Sequence, residues 1–240
     1  MDYDSITAHY YAAYRPPLHA ELLSRLLEGR YDYGLDIGCG TGHSTRALKA
    51  YCDRVTGLDP SADMLARAPA EPGIHYQAYA GDRLPALGRP VDIVTFAGSI
   101  NYCKSQQLVD DVTAVCRPGA LVVLYDFWTN LGPIAQTLFG LEVPTRDLHN
   151  YDPTLTLAGL DLKGLREAGS TRDAQHVRMR PEELAYLLLS ERDLLHAVFD
   201  RYGSDRPVKR LLEGLRLQIS ERYTSVEVPF ELFTAGYVVS

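Results

Sequence analysis

The 240-residue chain has only four cysteines, at positions 39, 52, 103 and 116, and no two of them stand as C-x-x-C. Its seven histidines are scattered and form no H-x-x-x-H pair. That spacing excludes a disulfide framework and a structural zinc site, and predicts free thiols in a reducing cytoplasm. No run of some 18 apolar residues supplies a membrane span, and no charged-then-apolar leader opens the chain, so neither insertion nor secretion is expected. Basic residues are the minority, 24 Lys and Arg against 31 Asp and Glu, for a formal charge of −7. A balance of that sign speaks against a broad nucleic-acid surface, which needs clustered Lys and Arg. Internal repeats and low-complexity tracts are absent too.

What remains is ordinary for a globular protein, with 46% hydrophobic and 23% charged residues. The length suits one domain, or one domain with a cap, around a sizeable core. The chain is organised around Leu35-Asp36-Ile37-Gly38-Cys39-Gly40-Thr41-Gly42. Tyr33 to Ile37 reads as a central strand, the alternating glycines as a tight turn, and Thr41 to Tyr51 as a helix. Strand, turn and helix N-terminus together predict a nucleotide-type pocket with converging backbone N–H groups. The spacing is not the G-x-G-x-x-G of dinucleotide enzymes. Val55 to Asp59 reads as a second strand ending in an acid, placed where such an acid takes two ribose hydroxyls in dinucleotide folds, about twenty positions on.

Leu18 to Leu27 predicts a helix with Leu22, Leu23, Leu26 and Leu27 on one face. Pro60 to Leu65 is a helix start with Ser61 as N-cap. Ile74 to Tyr79 and Val91 to Ala97 are the third and fourth strands, Ser105 to Val115 a helix, and Ala120 to Asp126 a fifth strand entered through Arg117-Pro118-Gly119. Such alternation implies a parallel sheet covered on both faces. From Phe127 to Arg180 the regularity stops, although Trp128, Phe139, Tyr151 and a leucine cluster keep the stretch apolar. An apolar cover over a site is the expectation there. Pro181 to Tyr202 and Val208 to Ile219 recover helical spacing, and Ser225 to Phe230 and Leu232 to Val239 read as two closing strands.

The glycine turn, Asp59 and the Arg-Pro-Gly-strand run, in this order, resemble the class I S-adenosylmethionine-dependent methyltransferases, in particular the small-molecule, type 11-like members. The resemblance implies a Rossmann-like, doubly wound, mostly parallel seven-stranded sheet, with helices on both faces and an antiparallel C-terminal strand. One domain over 1–240, with a cap at 127–220 following the fifth strand, goes with it. It implies S-adenosylmethionine as cofactor, held through Tyr11, Tyr14 and Arg15 of the N-terminal segment. Gly38, Cys39 and Gly40 of the turn, Asp59, Pro60, Met64, Gly81, Asp82 and Ala97 complete the set. Ala80 stands where relatives commonly carry an acid, and Asp82 is the substitute. Asn101, Tyr102 and Trp128 are expected to line the acceptor site, with loop capping and packing as their plain alternative. His43, His149 and His176 are weak candidates for a base, so the catalytic residues stay unassigned, and no metal is expected. The expected partner is a small, largely apolar acceptor, with no nucleic acid and no membrane, for a cytoplasmic monomer or homodimer. Its alternative is a fold relative that binds the cofactor without transferring methyl, as a cyclase, an isomerase-like enzyme or a partner subunit.

Overall fold

The computed structural model describes residues 5–81, 83–141, 151–218 and 225–240. In chain order the first elements are α1 (Ser5–Ala13), α2 (Leu18–Leu26), β1 (Tyr31–Ile37), α3 (His43–Lys49), β2 (Cys52–Asp59) and α4 (Ala62–Leu65). Next come β3 (Ile74–Ala78), β4 (Val91–Ala97), α5 (Ile100–Cys103), α6 (Gln106–Val115) and β5 (Cys116–Trp128). The chain closes with α7 (Gly132–Phe139), β6 (Leu165–Met179), α8 (Pro181–Leu189), α9 (Arg192–Tyr202), α10 (Pro207–Gln218) and β7 (Val226–Val239). The seven strands form one sheet in the order β3-β2-β1-β4-β5-β7-β6, mostly parallel, with the C-terminal strand antiparallel. The Rossmann-like architecture expected from the sequence is the one observed.

The chain divides into two compact units. The sheet unit comprises Pro17–Phe127, His149–Asp173 and Leu232–Ser240. Its strands β1, β2, β4 and β5 pair in parallel, with Ile37 opposite Leu58, Asp36 opposite Thr95 and Ala97 opposite Tyr125. Those registers bring the C-terminal ends of the strands to one edge. Chain order reverses between β1 and β4, and the crevice outside such a reversal is where open α/β sheets take ligands. The continuous burial of Tyr33–Ile37 and of Val91–Phe96 explains why these segments are apolar without alternation: both faces are covered. Each fully buried Leu or Ile there, such as Leu35 and Leu58, contributes ~1.5–3 kcal/mol through burial. Ser105 caps α6 by accepting the Leu108 N–H at 3.1 Å, and Ser61 caps α4 through Met64 at 3.3 Å, as the sequence predicts.

Asp36 is buried at the end of β1 and fastens three elements. Its Oδ2 accepts the hydroxyls of Ser44 at 2.6 Å and Thr45 at 2.7 Å from α3, and its Oδ1 that of Thr95 at 2.9 Å from β4. Burial pushes its pKa up, against the lowering effect of those three hydroxyl bonds.

The helical unit comprises Met1–Pro16, Trp128–Leu148 and Ala174–Glu231. Here Arg201 Nη1 donates to Gly140 O at 3.0 Å and Tyr202 OH to Phe139 O at 3.2 Å, so α9 satisfies carbonyls at the C-terminus of α7.

Three expectations need correction. The irregular cover does not run to Arg180, because Leu165–Met179 is the edge strand β6, with nine consecutive exposed residues. The two closing strands are one, β7, running through Pro229 and Glu231. The single helix over Pro181 to Tyr202 is broken at Ser190, whose hydroxyl donates to Leu187 O at 2.7 Å.

Candidate active site

The glycine turn sits at the C-terminal edge of the sheet unit, and its three glycines differ in what they face. A Cβ on Gly38 would lie 2.3 Å from Ser99 Cβ, and one on Gly42 would lie 2.2 Å from Tyr76 OH. Those two positions are closed by the protein itself. At Gly40, with φ +54°, the nearest atom to such a Cβ would be Met64 Cε at 3.6 Å. Its outer face is open.

The turn's N–H groups are largely spent inside the chain, contrary to the converging donors expected from the sequence. Gly38 N and Cys39 N both donate to Leu58 O, at 2.7 and 3.0 Å, and Gly42 N donates to Cys39 O at 2.9 Å. Gly40 N donates to Asp59 Oδ2 at 2.8 Å, while Asp59 Oδ1 accepts Ser61 N at 2.9 Å. A turn so committed has little left for a phosphate. It presents the outer face of Gly40 and the second lone pairs of Asp59, and the next residue, Thr41, holds its hydroxyl buried. Thr41 is 2% exposed, and its Oγ1 is a buried oxygen with no hydrogen-bond partner. Asp59 is 9% exposed; burial raises its pKa, opposed by the bonds from Ser61 and Gly40.

A second cluster lies at the ends of β4 and β5. Asp126 accepts the Tyr151 hydroxyl in a short hydrogen bond through Oδ2 and the Phe127 N–H at 2.7 Å through Oδ1. A Cβ on Gly98 would come within 3.1 Å of Asp126 Oδ1 and 3.2 Å of Tyr151 OH, so only glycine admits the pair. Asn101 binds the backbone of Asp152 twice, donating from Nδ2 to O at 2.9 Å and accepting N–H at Oδ1 at 2.8 Å. Gln106 repeats the device on Asp161, at 2.9 and 2.8 Å. Asn101 is therefore a clamp on the segment after residue 150, the plain alternative of the sequence reading.

Among the predicted cofactor residues, Gly40, Asp59 and Met64 come together. Pro60 and Gly81 are exposed, Gly81 with open space around it, and Ala97 is half-buried at the end of β4. Asp82 and His149 lie outside the described residues. Cys39 turns its buried thiol toward the Gly57 backbone of β2, and burial pushes that thiol's pKa strongly up. Tyr11, Tyr14 and Arg15 belong to the helical unit. There the Arg15 guanidinium lies 3.9 Å from the Tyr11 ring centroid and donates to Ser190 Oγ at 3.4 Å. Burial, and Glu183 after it, push the Tyr14 phenol up to about 12. Trp128 is in the same unit, half-buried, with Nε1 lacking a partner. Tyr102 is 52% exposed, its ring 6.0 Å from that of Tyr151. The leucines of the expected apolar cover are spent in the core: Leu157 and Leu165 join the cluster around Leu108 and Val112, and Leu155, Leu160 and Leu162 pack on it. Thr41, Asp126 and Tyr151 were missed. An acid at a strand's C-terminal end marks Asp126 as it marks Asp59; nothing in the sequence marks Tyr151.

Residues 35–119, from β1 into β5, match the profile of a methyltransferase domain. That match supports the class I S-adenosylmethionine-dependent methyltransferase family which the sequence resembles. A Saccharomyces cerevisiae protein assigned as an S-adenosylmethionine-dependent methyltransferase is 30% identical over 139 residues, covering 53% of this chain and 46% of that protein. A trans-aconitate 2-methyltransferase of Klebsiella pneumoniae is 37% identical over 92 residues, 37% of this chain and 36% of that one. The matches thus span less than half the length of these curated relatives. A solved structure assigned as a type II methyltransferase of Anaeromyxobacter dehalogenans shares the fold with a TM-score of 0.64 at 18% identity, covering 93% of this chain and 97% of that one. The cofactor of this methyltransferase family is S-adenosylmethionine. The turn fits such a phosphate-free nucleoside: its N–H donors are spent, while a hydroxyl, a carboxylate and an open glycine face stand together. Among the described residues no three His, Cys, Asp or Glu side chains gather as a metal site, and no helix is long and apolar enough to cross a membrane.

Proposed function

We propose that the chain is an S-adenosylmethionine-dependent methyltransferase whose acceptor is a small molecule. The observation that carries this reading is the grouping of open Gly40, unpartnered Thr41 Oγ1 and Asp59 at the C-terminal edge of β1 and β2. In it Asp59 receives the ribose hydroxyls with lone pairs left over from Gly40 and Ser61. Thr41 offers its hydroxyl, and Met64 covers the base with Pro60, Gly81 and Ala97 around it. The bound cofactor supplies a methyl on a sulfonium, so the chain need not build an electrophile of its own. The chain's work is to align the acceptor and exclude water.

The curated relatives are named for different acceptors, a malonyl-acyl carrier protein and trans-aconitate among them, so they support transfer without choosing an acceptor. A cytoplasmic location, as monomer or homodimer, belongs to the same reading, supported by four cysteines all present as thiols. Calorimetry with S-adenosylmethionine and S-adenosylhomocysteine, followed by mass spectrometry of small-molecule mixtures incubated with methyl-labelled cofactor, tests it. Binding of both and label in a small acceptor are expected. Binding without transfer would leave a fold relative of other chemistry, and no binding would end the reading.

A further inference from the structure

Strand β6 ends the sheet, so among the described residues no strand pairs with its outer edge. Arg166 to Ala174 are all exposed, and a long bare edge is a template for another chain. The strand carries one extra residue midway. On its near side Ser240 N donates to Gly164 O at 2.9 Å, and a Cβ on Gly236 would lie 3.8 Å from Ala168 Cβ. Farther along, Thr171 and Thr234 share a hydroxyl–hydroxyl bond of 2.7 Å, and the Arg172 guanidinium lies 5.2 Å from the Phe233 ring centroid. Ala168 to Thr171 is three steps along β6, but Gly236 to Thr234 is only two along β7. The surplus is a β-bulge, and Gly169, at φ +136°, takes the backbone conformation in it that favours glycine. A bulge resets the alternation of side chains. Ala168 and Thr171 therefore share one face, and with them Arg166 and Asp173, while Glu167 and Arg172 share the other.

We propose that this edge pairs, antiparallel, with the same edge of a second copy of the chain, about a two-fold axis through the bulge. The proposal lies outside the methyltransferase reading and does not depend on it. In that pairing Arg166 stands opposite the partner's Asp173 and Glu167 opposite the partner's Arg172, and the symmetry repeats both pairs. Opposed residues in an antiparallel pair project from the same face, so the match requires Arg166 and Asp173 to share one. Without the bulge they would point apart. The register is unique: a slip of two residues either way leaves none of the four charges opposite another. Between the charged ends Ala168, Gly169, Ser170 and Thr171 are small, which lets two backbones approach. The pairing uses the signs of these charges, not vacant side chains. Asp173 already accepts Arg25 Nη1 at 3.1 Å and its side chain is still 61% exposed, and Arg172 keeps the contacts it has within the chain. A flat, uncharged edge would accept any strand. This one rejects most of them and admits a chain with the same bulge and the same order of charges.

The test is sedimentation equilibrium of the full chain between about 1 and 200 µM, since an edge of this length lies at the low end of interface sizes and predicts a dimer of micromolar affinity. Raising the salt from about 0.05 to 0.5 M should weaken the dimer at least about fivefold. Arg166→Glu and Asp173→Lys each set like charges across the axis twice, and each alone should weaken it about tenfold or more. Mixed in equal amounts, the two variants should recover the affinity as a heterodimer, because each then meets a charge of opposite sign. Arg54→Glu, at an exposed cation on β2, should change nothing. A wild type that stays monomeric over this range at low salt would overturn the proposal. So would a dimer indifferent to salt and to Arg166→Glu, which places the interface elsewhere, or variants that remain apart when mixed. None of these outcomes touches the transfer reading, which cofactor binding tests separately.

Discussion

The carboxylate of Asp59 accepts the backbone N–H of Gly40 at 2.8 Å, so the acid at the end of β2 holds the turn at the end of β1. With Ser61 N on its other oxygen, Asp59 shapes the site before any ligand arrives. Hydrogen bonds to a charged acceptor contribute roughly 1.5–3 kcal/mol each. Asp59→Ala should therefore weaken S-adenosylhomocysteine binding by ~10- to 150-fold and also lower the melting temperature. Asp59→Asn should spare more of the stability than of the affinity. Paired calorimetry and thermal unfolding on both variants separate the two effects.

Gly38 and Gly40 should respond oppositely to alanine. At Gly38 the new methyl meets Ser99 Cβ, and overpacking costs ~1–3 kcal/mol of fold stability. At Gly40 it makes an ordinary van der Waals contact with Met64 Cε at 3.6 Å, so the loss is confined to left-handed strain of ~1–2 kcal/mol, while the face that would meet a ligand is filled. Thermal unfolding should show the larger drop for Gly38→Ala, and calorimetry the larger affinity loss per unit of stability lost for Gly40→Ala.

Thr41→Val should stabilise the unliganded chain. It replaces a buried hydroxyl without a partner, a defect of ~1–3 kcal/mol, by a methyl of similar shape. The same change should weaken cofactor binding. A melting temperature that rises while affinity falls is the signature; a fall in both would place the hydroxyl in the fold rather than in the site.

Asp36 gives the chain a pH dependence of unusual sign. Its folded pKa is raised by burial, so its share of stability is complete below the unfolded value of about 4 and is lost as pH climbs through the folded value. Relative to Asp36→Asn, the wild type should therefore lose stability as pH rises from about 4. Denaturant unfolding of both proteins across that range checks the slope, and a pH-independent difference would contradict it.

Strands β1, β2, β4 and β5 were legible because burial on both faces writes long apolar runs, and Asp59 because an acid closes one of them. Strand β6 was not, since an edge strand exposed at nine successive positions carries no alternation to read. The two closing runs, Ser225 to Phe230 and Leu232 to Val239, are separated in the sequence by Glu231, where the backbone of β7 makes no break. The commitment of the turn's N–H groups was not legible, because glycines announce a turn but not which carbonyls its donors already serve. The Asp126–Tyr151 bond joins residues brought together only by the path of the chain, and no local pattern encodes it. In the stretch beyond Phe127 the leucines from Leu155 to Leu165 serve the core around α6, which a local pattern of apolar residues does not reveal.

The clamps of Asn101 on Asp152 and Gln106 on Asp161 divide labour along the chain. Each side-chain amide supplies a donor and an acceptor to the C=O and N–H of a single residue, as a neighbouring strand would, so the segment is held without joining the sheet. Its attachment points are two residues near the starts of α5 and α6 rather than a ladder whose register must be kept. Insertions or substitutions between the clamps can then alter this segment without shifting the glycine turn, which rests on Asp36 and Asp59 instead. The turn and the segment are thus anchored by separate side chains and are free to change separately.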